Sequence, residues 1–206
     1  MDINFLLRGI IIGFSIAAPV GPIGVLCIRR TLAEGRTSGL ISGLGAATAD
    51  AIYGCIAGFG LTFISSILIE QLVWLRLIGG MFLSYLGFKT FLAKPAESSA
   101  SIQENGLIGA YFSTLFLTVT NPMTILSFAA IFAGLGLAGT GSNYTDAGVL
   151  VLGVFIGSAL WWLIISFSVG MFRARLNSYS LQWINRISGV IIIAFGSLAL
   201  LSLRLK

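Results

Sequence analysis

The sequence predicts an all-α membrane protein, with six transmembrane helices set as two inverted three-helix repeats and helices 1 and 4 broken at proline. Three observations carry that prediction. Of 206 residues, 57% are hydrophobic and only 9% charged, whereas a soluble domain carries about 25% charged residues, so polar surface is too scarce to wrap a core in water. Residues 9–28, 51–69, 105–145 and 147–172 contain no Asp, Glu, Lys or Arg, and stretches of about 20 such residues span a bilayer. Prolines interrupt the first and fourth apolar segments at matching places.

The first span is expected over 5–28. Its start loosely resembles a secretory signal ending near Ser15-Ile16-Ala17, but only Asp2 and Arg8 precede the run, and apolar character resumes after Pro22, so it reads as a retained helix. Arg29 to Arg36 form the first polar loop, and the second span follows at 40–63, crowded with Gly, Ala and Ser that allow close helix approach. The third span covers 73–92. Lys94 to Ser99 open the longest polar linker, after which the fourth span covers 107–133, Gly139 to Asp146 make a loop, and spans 147–171 and 183–203 complete the chain. The whole reads as one transmembrane domain, 1–206, with repeat one at about 5–92, a cytoplasmic linker at about 93–106 and repeat two at about 107–203.

The net charge of +5 would suggest nucleic acid in a soluble protein, but these basic residues lie between apolar segments and act as orientation signals. Loops one, three and five with their flanks hold eight Lys or Arg and the opposite side holds four, which predicts both termini outside the cytoplasm. Cys27 and Cys55 sit in apolar segments without C-x-x-C spacing, and histidine is absent, so neither a disulfide framework nor a metal or other cofactor site is expected. No Ser/His pair or phosphate-cradling loop supports an enzyme.

A shift of 100 positions sets Gly9 on Gly109, Pro22 on Pro122 and Leu26 on Leu126, and a shift of 110 sets Gly43 on Gly153, Gly60 on Gly170, Arg76 on Arg186 and Gly79 on Gly189. Each half is then three helices. Three being odd, the second copy enters the membrane from the opposite side.

The candidate site follows from the breaks at Ala18-Pro19-Val20-Gly21-Pro22 and Thr120-Asn121-Pro122. Proline supplies no backbone donor, and carbonyls freed in a membrane are tolerated only inside protein or at a wet cavity. Paired breaks near mid-membrane point to a transporter site, because half-helix ends offer amides to a carboxylate and carbonyls to a cation. Pro19, Gly21, Pro22, Asn121, Pro122 and Thr124 are therefore expected to bind substrate. Asp50 lies about ten residues, roughly 15 Å, into its span, where an acid costs on the order of 3 kcal/mol and should face the bundle interior. It is the expected proton carrier or counter-charge to an ammonium, against the alternative of a structural bond to Lys89 or a hydrogen-bonded acid. Of the mid-span pair Trp161 and Trp162, one lines the cavity, taken as Trp161, and the other packs against lipid; Tyr85 could offer a hydroxyl. Arg76 and Arg186 are expected to snorkel to headgroups.

Pro19-Val20-Gly21-Pro22, Gly35 and Gly39, Ala49-Asp50, Tyr85-Leu86-Gly87 and Asn121-Pro122 together resemble the lysine-exporter (LysE/RhtB) family of amino-acid efflux proteins over essentially the whole chain. The resemblance implies a six-span exporter of amino acids or related small zwitterions in the bacterial inner membrane, driven by the proton motive force, with the two breaks and Asp50 in the transport pathway; a homo-oligomer is a separate expectation. Its expected partners are an amino acid, protons and the lipid bilayer. The family often reads Pro-Gly-Pro-Asn and Asn-Pro-Lys; here Val20 separates Pro19 from Gly21, Ile23 follows Pro22 and Met123 follows Pro122, so export of basic amino acids in particular is not implied. Two competing readings are a cysteine-based electron relay, disfavoured because Cys27 and Cys55 align with Ser127 and Ile165, and a non-transporting membrane subunit.

Overall fold

A computed structural model describes residues 3–19, 21–58, 71–93, 104–121, 124–128 and 144–203. The described residues form no strand. Seven long helices follow one another: α1 (Ile3–Ala17), α2 (Pro22–Ala33), α3 (Arg36–Gly58), α4 (Leu72–Phe91), α5 (Glu104–Val119), α6 (Tyr144–Gly170) and α7 (Ser178–Leu201). Residues 124–128 are also helical. Most of the inter-repeat linker, Pro122 and the expected ends of the second and fourth spans lie outside the described residues.

Local chemistry sets the boundaries. Pro22 opens α2, where its missing N–H would have no helical partner anyway. The turn into α3 is made by Gly35 at φ 114°, a left-handed conformation that disfavours any Cβ. Asn177 caps α7 by accepting the Ser180 N–H at 2.8 Å. Together α3, α6 and α7 include three helices long and apolar enough to cross a membrane, and α1 with α2, bent by 82°, makes a fourth if the pair is one broken span.

The bundle buries hydroxyls within an apolar core and turns large apolar side chains outward. Ser42, Thr114, Ser158 and Ser166 are fully buried, while Ile11, Phe116, Leu160 and Phe167 face outward. Such an arrangement suits a lipid solvent, which rewards apolar exposure and penalises unpaired polar groups.

Small residues bring the helices together. α1 crosses α6 with Gly9 and Gly13 against Gly153 and Gly157: a Cβ on Gly9 would stand 2.9 Å from the Gly153 Cα, and one on Gly157 would strike the Ile10 backbone. α4 crosses α7 in the same manner through Gly80 and Gly87 against Gly196 and Gly189. α3 is the central helix, packed on both α5 and α6. The glycine pairings read from the sequence fare unevenly, for Gly9 is wedged against α6 whereas nothing described lies within 4 Å of a Cβ on Gly109.

Candidate functional site

At the end of α1 the Ala18 N–H still reaches the Phe14 carbonyl at 3.0 Å, after which the helical ladder stops. Gly21 is extended, at φ −106° and ψ −164°, and its carbonyl accepts the Val25 N–H at 3.0 Å to begin α2. The second break has its own accommodation. Pro22 and Pro122 offer no N–H to the carbonyls of Ala18 and Thr118, and the Thr118 carbonyl is taken instead by the Asn121 N–H at 3.2 Å. The neighbouring Val119 carbonyl accepts the hydroxyl of Tyr53 from α3. The Asn121 carbonyl then receives the Thr124 and Ile125 N–H groups at 3.1 and 3.3 Å, restarting helix.

Both breaks open on one cavity of about 660 Å³. Pro19, Gly21 and Pro22 line it from one side and Thr120, Asn121 and Thr124 from the other, so the structure brings together every expected site residue of the two breaks that it describes. Pro122 lies outside the described residues. Asp50 reaches the same cavity from α3, only 3% exposed, with its Oδ2 accepting the Ser158 hydroxyl of α6 at 2.7 Å. The alternative pairing with Lys89 is absent, that side chain being exposed at the far end of α4.

Two expected residues fall elsewhere. Trp161 is not in the cavity wall; its ring stands edge-on to Phe14 of α1 at 5.2 Å, and Trp162 lines the cavity instead. The reason is rotational: one residue step turns a side chain by about 100°, and Trp162 is the one that lies over Gly43 of α3. Tyr85 is 59% exposed on the outer face of α4, tilted against Phe82, so its hydroxyl does not face the cavity. Arg76 departs from expectation in the opposite sense. It lines the cavity from the second turn of α4, half-buried.

One end of the bundle holds a network of polar side chains, two of them arginines expected only as orientation signals. Arg30, 8% exposed, donates from Nη1 to the Ser42 hydroxyl at 2.9 Å, the Thr114 hydroxyl at 2.8 Å and the Ala110 carbonyl at 3.0 Å, and from Nη2 to the Ser113 hydroxyl at 2.8 Å. Arg29 donates to the Asn185 Oδ1 at 2.9 Å and forms an ion pair with Glu34 at 2.6 Å. Asn185, 1% exposed, in turn donates to the Ala93 carbonyl at 3.1 Å. This network ties α2 to α3, α5 and α7 and to the end of α4. The one sequence signal for it was an asparagine inside an apolar segment beside Arg186.

Cys27 is fully buried and Cys55 half-buried, and both are free thiols. Among the described residues no cluster of His, Cys, Asp or Glu could hold a metal ion.

Residues 14–203 match the family described as LysE type translocator. The chain is 29% identical over 198 residues to the "Putative amino acid efflux protein YcgF" of Bacillus subtilis, covering 94% of this chain and 93% of that one. It is 26% identical to the uncharacterized membrane protein slr1627 of Synechocystis, over 91% of each chain, and 26% identical to the uncharacterized membrane protein YahN of Escherichia coli, over 82% and 76%. No solved structure matches it.

Proposed function

This chain belongs to the LysE type translocator family, and from that premise we propose that it exports amino acids or related small zwitterionic metabolites across the bacterial inner membrane, driven by the proton motive force. One observation carries the proposal: two proline-marked breaks and a buried acid line a single cavity. Backbone groups released at the breaks offer polar contacts to the substrate, and Asp50, on the adjoining helix, exchanges the proton. The similarity to a relative named for amino acid efflux supports the substrate class.

In this reading the chain spans the membrane six times as two inverted repeats. α1 with α2 is the first span, and α5 with residues 124–128 begins the fourth. The packing supports a two-fold relation, since exchanging the halves turns the α1–α6 contact into the α5–α3 contact, while α3–α6 and α4–α7 map onto themselves. Both termini lie outside, which makes the Arg29–Arg30 end cytoplasmic. Alternating access then consists of parting the Arg29, Arg30 and Asn185 contacts so that the cavity takes substrate from the cytoplasm.

Asp50→Asn protein in proteoliposomes tests the coupling. We expect efflux of labelled amino acid driven by a proton gradient to fall by about 100-fold or more, in the range seen for loss of a positioned proton-transfer group, while exchange of labelled for unlabelled substrate persists. Full proton-driven efflux by that variant would remove Asp50 from the role.

A further inference from the structure

Among the described residues Arg76 is a cation with no anion. The other charged side chain in the described cavity wall is Asp50, held by the Ser158 hydroxyl. Arg29 and Arg30 spend their donors on Asn185, Glu34 and four neutral oxygens, whereas Arg76 makes no hydrogen bond or ion pair with any described residue. It is half-buried in a wall that is otherwise largely apolar, including Ile16, Leu83, Leu117, Phe195 and Leu198. An uncompensated charge at the edge of a low-dielectric space is unfavourable unless something in the working cycle neutralises it. A second donor in the same wall is also unused: the indole N–H of Trp162, a residue 4% exposed, has no partner among the described residues.

We propose that Arg76 is the carboxylate-recognising residue of the cavity and thereby determines specificity, admitting a zwitterion without net charge. The inference rests on the export reading and deepens it by naming what the site selects. A guanidinium presents a planar fork that meets a carboxylate through two parallel N–H···O bonds. Arg76 meets the α-carboxylate, and the carbonyls released at the two breaks are left for the α-ammonium. A basic amino acid brings a second cation, and an acidic one a second anion, for which the described wall holds no further partner. Its apolar remainder suits an aliphatic side chain.

The test uses the purified full-length chain in proteoliposomes, measuring labelled leucine exchange with leucine, leucinamide, lysine and glutamate as competitors. Wild type is expected to prefer leucine over leucinamide, which lacks the carboxylate, by about 10- to 100-fold, the range for a charge-assisted hydrogen bond, and to be poorly inhibited by lysine and glutamate. Arg76→Gln should raise the leucine KM by a similar factor with kcat changed far less, and should erase the discrimination against leucinamide; Arg76→Lys should restore part of it. A wild type indifferent to the carboxylate overturns the assignment whatever the variants do. Leucine exchange by Arg76→Gln with unchanged KM and undiminished preference overturns it too, leaving export intact. Wild-type protein that moves no amino acid overturns the export reading and this inference with it.

Discussion

Gly21 lines the cavity without a side chain. Its backbone is extended and open to any L-residue, and nothing described lies within 4 Å of where a Cβ would project. The glycine is therefore not demanded by the turn; its missing side chain leaves space in the cavity wall. Gly21→Leu should fold and insert like the wild type yet lose about 10-fold or more of its transport rate, because a leucine side chain fills space the substrate needs. Equal expression with unimpaired efflux would contradict that account. That Asp50 is buried and that the described residues of both breaks meet at one cavity was legible at this scale from the sequence, since an acid or a paired proline break in an apolar run has few inexpensive explanations. Trp161 and Trp162 were not separable, because both stand in a continuous apolar run and hydropathy carries no information on which way each one points.

At the scale of elements, α1 and α6 are held by backbone contact rather than by interlocking large side chains. Lipid is as apolar as a leucine side chain, so burial alone gives two membrane helices little reason to associate, and close approach of small residues must supply van der Waals contact. Gly9-x-x-x-Gly13 and Gly153-x-x-x-Gly157 are that device, and both are visible in the sequence as spacings of four. Gly157→Leu drives a side chain into the backbone of Ile10, and overpacking of this kind typically costs about 1–3 kcal/mol. Its expected consequence is a lower thermal unfolding midpoint in detergent, whereas the same change at Gly109, where nothing described lies near, should shift the midpoint little. Comparable midpoints for the two variants would refute the close-packing account of α1 on α6.

For the whole molecule, the proposed export cycle makes the polar network at the Arg29–Arg30 end the contact that parts between its two states. Asn185 links α7 to both Arg29 on α2 and the end of α4, so Asn185→Ala should loosen that end and shift the population toward the opposite state. Cys27, fully buried two residues before Arg29, is a built-in reporter. An impermeant maleimide should label Cys27 in Asn185→Ala several-fold faster than in wild type when applied from the cytoplasmic face of inside-out vesicles, by analogy with the population shifts of about 10-fold that about 1.4 kcal/mol of lost contact produces. Faster labelling from the external face instead would reverse the assigned orientation, and no change would show that Asn185 does not hold the closure.

By itself the sequence determined that the protein is helical and built for a membrane, where its chain breaks, and that one acid is buried beside those breaks. Each of these follows from a free-energy penalty large enough to leave a mark in composition or spacing: exposed polar backbone, buried charge, proline within a helix. Only the tertiary structure decided that Trp162 rather than Trp161 and Tyr85 meets the cavity, that Arg76 turns toward it rather than only toward headgroups, and that Arg30 and Asn185 are buried in a polar network. Those outcomes depend on the rotation of each helix about its own axis. Where lipid and neighbouring helices are equally apolar, that rotation is set by which small surfaces fit together, and a one-dimensional pattern of hydrophobicity does not record it.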